Sequence, residues 1–254
     1  MLSAEGKLYQ ATGRQRHRNA AALSLQIHDL LRERIVTFGL RPYEQISEQH
    51  IARELGVSRT PVREALVRLS ELGLIDIFPQ RGTVIAPLRI ADLEKSQFLR
   101  EALEIALLRR AMARPGLDAL VQSLKSELAI QSTFVELRDP QRFYPSDEQF
   151  HALIAAQAGL VSAVGEIDRA KIHMDRFRHL MLAEIEDLRM ILDQHKAIVE
   201  AIAANDSANA ERAMQTHLRR ILEFVGQAIE KYPAYFESAE PNVPNMRRRA
   251  GGSQ

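Results

Sequence analysis

Cysteine is absent from this chain of 254 residues, which excludes disulfides and thiolate metal ligands. A reducing cytoplasm is the location that this fits. The first twenty residues hold no apolar stretch of the kind a secretory signal needs. No segment approaches the ~18 uncharged apolar residues of a membrane span, so no membrane partner is expected. Net charge is also scarce: 34 Lys and Arg stand against 33 Asp and Glu, leaving +1. Short-period repeats and low-complexity tracts are missing as well. What remains is the composition of a soluble globular protein, 46% apolar and 26% charged, with more Leu, Ile and Val than a disordered chain carries. The length suits one large domain or two ordinary ones.

The charge is unevenly spread. Residues 1–20 lack hydrophobic periodicity and read as a flexible arm, with Lys7, Arg14, Arg16 and Arg18 against a single Glu5. A tail over 237–254 carries Arg247, Arg248 and Arg249. Such ends are either solvated or touch nucleic-acid phosphates.

From Leu23 the pattern becomes helical: Leu23, Ile27, Leu30, Leu31, Ile35 and Phe38 return at spacings of three and four until Gly39. Ser47 is a good N-cap for a second, short helix that ends at Gly56. Ser58-Arg59-Thr60-Pro61 opens a third, with proline in the first turn, where its missing N–H costs nothing. Residues 74–78 read as a strand, Pro79-Gln80-Arg81-Gly82 as a turn and 83–85 as a returning strand. A domain over 21–86 therefore runs helix, helix, tight turn, helix, hairpin, which is a winged helix-turn-helix. A linker follows at 87–91. From 92 to about 232, within a domain taken as 92–236, only helical periodicity is seen, broken at 114–116, 139–140, Gly159 and 205–207. That predicts an all-α bundle of six or seven helices, and a mainly α protein overall.

In a helix-turn-helix the second helix enters the major groove of double-stranded DNA, and its first residues meet base edges. Here those are Ser58, Arg59, Thr60 and Arg63. Arginine can bond guanine bidentately, and hydroxyls and free N–H groups at a helix start suit phosphates. Arg81 and Gly82 at the hairpin tip can lie along the backbone or enter the minor groove. A protein-interaction module with solvated arginines is the alternative. The runs Ile46-Ser47-Glu48-Gln49, Leu55-Gly56-Val57-Ser58-Arg59-Thr60-Pro61-Val62-Arg63-Glu64-Ala65-Leu66, Gly73-Leu74-Ile75 and Arg81-Gly82-Thr83-Val84 together resemble the GntR superfamily of regulators, over residues 23–86. The resemblance implies that Arg59, Thr60, Arg63 and Gly82 contact DNA. Tyr43 departs from it, standing where these proteins usually carry glycine after the proline.

The helical region holds Asp147 and His151 at i, i+4, one turn apart on a helix face. His195 and His217 sit in apolar stripes of two further helices. A single histidine on such a stripe is more often a hydrogen-bonded core residue. One carboxylate and three imidazoles together suit a divalent ion, with Zn2+ or Ni2+ foremost. At this point a core cluster and a metal site both remain open. The segments Phe98-Leu99-Arg100-Glu101-Ala102-Leu103-Glu104, Asp147 to His151, His195-Lys196-Ala197-Ile198 and Ala213-Met214-Gln215-Thr216-His217 then resemble the FCD effector domain of the FadR-type branch, over 92–230. That resemblance implies a metal held by Asp147, His151, His195 and His217, with open positions for a small carboxylate effector. It implies Arg100 as a second anchor for the carboxylate, with Arg176 and Arg178 as weaker candidates. The reading is of a ligand-responsive, homodimeric DNA-binding regulator on a two-fold operator, not an enzyme. A metal-dependent hydrolase and a regulator with a purely structural metal are the alternatives. The hydrolase lacks a HExxH motif and leaves the DNA-binding head unexplained.

Overall fold

The structure, a computed structural model, describes residues 21–181 and 188–238. The basic arm and the arginine-bearing part of the tail lie outside them. The chain divides into two units: one runs to Leu88 and resumes at Ala234, the other spans Arg89–Pro233.

In the first unit, helix α1 (21–36) buries Ile27, Leu31 and Ile35. Helix α2 (Glu48–Leu55) is capped by the Ser47 side chain, which accepts from the His50 N–H at 3.1 Å. Gly56 ends it in the left-handed conformation, at φ 65°. That geometry suits glycine and turns the chain within three residues into helix α3 (Arg59–Glu71). Val62, Ala65, Leu66 and Leu69 form the buried stripe of α3. They share the unit's core with Ile51 and with Leu74, Ile75, Val84 and Ile85 of the hairpin. The hairpin is β2 (Ile75–Phe78) and β3 (Gly82–Ile85), registered Asp76 opposite Val84 and Phe78 opposite Gly82. A third strand, β1 (Gln45–Ile46), lies antiparallel on the other side of β3. Two residues are too few for a period of two to register, so sequence periodicity does not reveal it.

Tyr43 adopts φ 65°, the region glycine occupies freely. Its backbone N–H donates to the Ile85 carbonyl at 2.9 Å, and its hydroxyl donates to the Phe236 carbonyl at 3.0 Å. The second bond reaches a segment near the end of the described residues. Residues 234–237 return to this unit as a short strap: the Leu88 N–H donates to Tyr235 at 2.8 Å and the Glu237 N–H to Leu88 at 2.9 Å. Leu88 and Phe236 form a parallel bridge, and the Tyr235 ring stands edge-on to Phe38 at 5.1 Å. The helical unit thus stops at Pro233, close to where helical periodicity fades and three residues before the domain boundary of 236.

The second unit is all helical among the described residues. It comprises α4 (Ile90–Met112), α5 (Leu117–Glu136), α6 (Pro140–Gln157), α7 (Ala163–Ala170), α8 (Ile172–Met181), α9 (Leu188–Ala203), α10 (Ser207–Arg219) and α11 (Val225–Lys231). A 3-10 turn, Arg220–Phe224, joins the last two. These eight segments exceed the expected six or seven because α7 and α8 are parted by Lys171 alone, a break that periodicity reads through. Elsewhere the breaks fall as local chemistry dictates. Asp139 caps α6 by accepting from Arg142 N–H, and Asp206 caps α10 by accepting from Asn209 N–H. Leu108, Leu124, Phe150, Ile198, Ile202 and Met214 lie in one continuous core. None of the described helices is long and apolar enough to cross a membrane.

Candidate metal centre and nucleic-acid interface

Three helices bring the four residues singled out in the second unit together. Asp147 and His151 lie on α6, His195 on α9 and His217 on α10. One ligand atom from each falls within 4.8 Å of all the others. His151 Nε2 is 3.1 Å from His217 Nε2, which is 3.3 Å from His195 Nε2. Asp147 Oδ1 stands 3.3 Å from His195 Nε2 and 3.9 Å from that of His217. All four residues are buried or nearly so. The Phe150 ring stacks on His195 at 4.1 Å and 12°, fixing its plane.

The partners of the other ring nitrogens decide the tautomers. His195 Nδ1 is 2.8 Å from Gln131 Oε1. The Gln131 amide nitrogen donates to the Ser146 carbonyl, so the oxygen must face His195 and the His195 Nδ1 carries the proton. His217 Nδ1 faces Gln194 Oε1 at 3.2 Å. His151 Nδ1 meets the Glu104 carboxylate. Each imidazole has a side-chain oxygen facing its Nδ1, and three Nε2 atoms and a carboxylate oxygen converge on the other side. Ligands ~2.1 Å from one ion in tetrahedral array stand about 3.4 Å apart, close to the spacings found. A hydrogen-bonded back of carboxylate or amide oxygen is also what metal-binding imidazoles require. The donor set fits a divalent cation.

Burial and neighbouring charges together shift these groups from their ordinary values. Burial pushes the His217 imidazole well below its ordinary pKa, and the neighbouring His195 and His151 add to this. Burial likewise lowers His195, against the opposing pull of Asp147. Burial raises the Asp147 carboxyl, but the His195 hydrogen bond and the charges of His151 and Arg178 outweigh it and hold the group well below the carboxylate range. Glu104 behaves alike: burial is overcome by Arg100 and His151, leaving a value of about 2. Neutral imidazoles and an ionised carboxylate are the forms that bind metals.

An open cavity lies beside this cluster, with Asp147 and His217 in its wall. Arg100, Tyr144, Arg178 and Gln194 line it as well. Arg100 is buried and its Nε donates to Glu104 at 2.6 Å, so it braces the ligand His151 through Glu104 while also facing the cavity. Arg178 is held loosely, its Nη1 being 3.9 Å from Asp147, Glu148 and Asp175 alike. The Tyr144 hydroxyl is buried without a hydrogen-bond partner, and the Arg178 guanidinium lies 4.9 Å from its ring centre. Arg176 does not line the cavity; it is fully buried elsewhere. The reason is helical phase: Met174 and Arg178, four apart on α8, share the cavity face, and a residue midway between them points away. Sequence reading therefore missed Glu104, Gln131, Gln194 and Tyr144 as parts of this assembly, while Arg100 and Arg178 both line the cavity. Only Glu104 had a sequence signal, at i, i+4 from Arg100.

In the first unit, Ser58, Arg59, Thr60 and Arg63 are all exposed at the start of α3, and Arg81 and Gly82 are exposed at the hairpin tip. The Ser58 hydroxyl makes no cap hydrogen bond. Gly82 has φ 105°, preceded by Gln80 at 61°, which folds the tip tightly. Glu48 of α2 meets this surface. It accepts from Arg63 Nε at 2.9 Å and from Nη2 at 3.0 Å, and lies 3.9 Å from Arg59. Those hydrogen bonds lower the Glu48 pKa and raise that of Arg63. The Arg63 side chain keeps 65% exposure, so its other N–H groups face outward.

Comparison with known proteins bears on both units. The model of bacterial regulatory proteins of the gntR family matches residues 23–85, and that of the FCD domain matches 97–220. The HTH-type transcriptional repressor RspR of Escherichia coli (strain K12) is 34% identical over 211 residues, covering 83% of this chain and 92% of that protein. A gluconate operon transcriptional repressor of Bacillus subtilis (strain 168) is 27% identical over 215 residues, covering 82% and 85%. Among solved structures, E. coli McbR/YncC superposes with a TM-score of 0.63 at 20% identity, covering 83% of this chain and 98% of that one.

Proposed function

This chain belongs to the GntR family of bacterial regulators and carries their FCD domain, so it is a DNA-binding transcription regulator and not an enzyme; from that premise we propose that a small carboxylate, bound at a divalent metal in the helical unit, sets its affinity for operator DNA. The carrying observation is the convergence of three imidazole Nε2 atoms and the Asp147 oxygen beside a cavity. Asp147, His151, His195 and His217 hold the ion, with Zn2+ or Ni2+ as the suitable occupants. The ion supplies positive charge that favours an anionic ligand. Glu104, Gln131 and Gln194 keep the Nδ1 protons in place. Arg178 and the Tyr144 hydroxyl receive the effector carboxylate, with Arg100 holding Glu104 and facing the same space.

At the other end, Arg59 and Arg63 read bases from the major groove. Ser58 and Thr60 hold phosphates, and Arg81 with Gly82 follow the backbone. One such head makes too few contacts for strong specific binding, so two chains act on a two-fold operator. Two of the relatives are named repressors, and repression is the direction adopted. Signalling requires that the effector favour one state of the protein over another, and that operator and effector change each other's affinity by the same factor.

Calorimetry with small carboxylates tests the reading on Zn2+-loaded, metal-stripped and Arg178→Gln protein, with and without operator. Effector affinity should collapse on stripping, fall in Arg178→Gln and shift with operator. An acid that binds all three forms equally makes the metal purely structural. An acid that needs the metal but ignores the operator leaves the site without a signalling role.

A further inference from the structure

The cavity beside the metal-binding cluster has two chemically different ends. The guanidinium of Arg178, the unpartnered Tyr144 hydroxyl, Asp147 and His217 make one. The other is a wall of Met174, Ile191, Leu218, Ile221 and Phe224, drawn from α8, α9, α10 and the 3-10 turn. Met174 and Leu218 are buried, but Ile191, Ile221 and Phe224 keep part of their surface uncovered. Apolar surface left facing an open cavity is unfavourable until something apolar covers it. Among the cavity's lining residues no serine, threonine or asparagine is present to meet a chain of hydroxyls. Of the other two cations in the lining, Arg100 is bonded to Glu104 at 2.6 Å, and Arg220 is engaged too: its Nη1 lies 3.4 Å from Glu223 and its guanidinium 5.3 Å from the Phe224 ring centre. It therefore closes the apolar end and is not free to receive a second carboxylate.

We infer that the effector is a monocarboxylate with a branched aliphatic or aromatic tail, and not a sugar acid or a short dicarboxylate. This rests on the effector reading above and narrows it. The carboxylate lies at the Arg178 and Tyr144 end, and the tail covers Ile191, Ile221 and Phe224.

The test uses full-length, Zn2+-loaded protein and calorimetric titration with lactate, 2-hydroxy-4-methylpentanoate, 3-phenyllactate, gluconate and succinate. Each buried methylene is worth roughly fourfold in affinity, so the two tailed acids should bind at least about tenfold tighter than lactate after the cost of ordering them. Phe224→Ala, at a half-buried position, should remove most of that advantage and leave lactate unchanged. Ile191→Ser, on a different helix, is the second variant should the first not fold. Gluconate or succinate binding tighter than the tailed acids overturns the inference and leaves the effector reading standing. So does an equal loss for lactate and phenyllactate in both variants. If none of the five acids binds, or all bind metal-stripped protein as well, the effector reading itself fails and takes the inference with it.

Discussion

At the scale of single residues, the groups behind the four proposed metal ligands matter as much to that proposal as the ligands themselves. Gln131 is locked between the Ser146 carbonyl and His195 Nδ1, and so sets which His195 nitrogen is free. Gln131→Leu should weaken Zn2+ binding by about 10–100-fold while leaving all four ligands in place, measured by competition with a coloured chelator. Affinity equal to wild type would show that the amide does not orient His195. In the DNA-binding head, Glu48 holds the fork of Arg63, and so places a negative charge beside the proposed DNA-contacting residues. Glu48→Gln should raise affinity for random DNA several-fold, since removing the charge favours every phosphate backbone. It should also narrow the ratio of operator to random binding, because Arg63 loses its fixed direction. Competition binding at fixed salt reads both. A fall in random-DNA affinity would contradict this assignment of Glu48.

Between elements, α4 and α10 are fastened by two forked ion pairs. Arg109 donates to both oxygens of Glu211, at 2.8 and 2.6 Å, and Arg219 to both of Glu101. The Arg109 hydrogen bond lowers the Glu211 pKa, and the Arg219 hydrogen bond does the same for Glu101. A carboxyl lowered on folding contributes stability that is complete above its unfolded pKa, about 4.3 for Glu, and is lost as pH falls through the folded value. The pairs are exposed, so each contribution is small. Melting temperature should therefore decline on acidification below pH ~4.3, and less steeply in Glu211→Gln with Glu101→Gln than in wild type. Parallel pH profiles for the two proteins would remove the clamp from the account. Since α10 also carries His217, the clamp sets the register of one ligand against α4 and its Glu104.

For the whole molecule, the first unit contains both ends of the described chain. The strap over 234–237 is bonded to Leu88, beside the point where the chain leaves for the helical unit. Phe236 is buried there, with 6% exposure. Phe236→Ala should destabilise the first unit by about 3 kcal/mol, the usual scale for emptying a buried phenyl site. A two-transition melt with only the DNA-binding head shifted would show it, and an unchanged melt would place the strap outside the folded unit. Light scattering should report a dimer at micromolar protein. A monomer, both free and on operator, would contradict the two-headed arrangement.

The sequence by itself determined the local features: where helices start and stop, that the head is a helix-turn-helix with a hairpin, and which side chains stand at the start of α3. Caps such as Ser47, Asp139 and Asp206, the turn at Gly56 and stripes at spacings of three and four act within a few residues, and so can be read from a string. Asp147 and His151 belong to the same class, since i, i+4 is a helical neighbourhood. The tertiary structure decided whatever depends on separate elements meeting. It brought His195 and His217 to that pair and put Gln131 and Gln194 behind them. It set Glu48 against Arg63 across fifteen positions and returned Phe236 to Leu88. Helical phase lies between the two levels. It was available in the spacing of Met174, Arg176 and Arg178, but only the position of α8 against the cavity showed which of its faces looked in. Contacts across elements depend on how buried surfaces fit together, and a one-dimensional pattern carries no record of that fit.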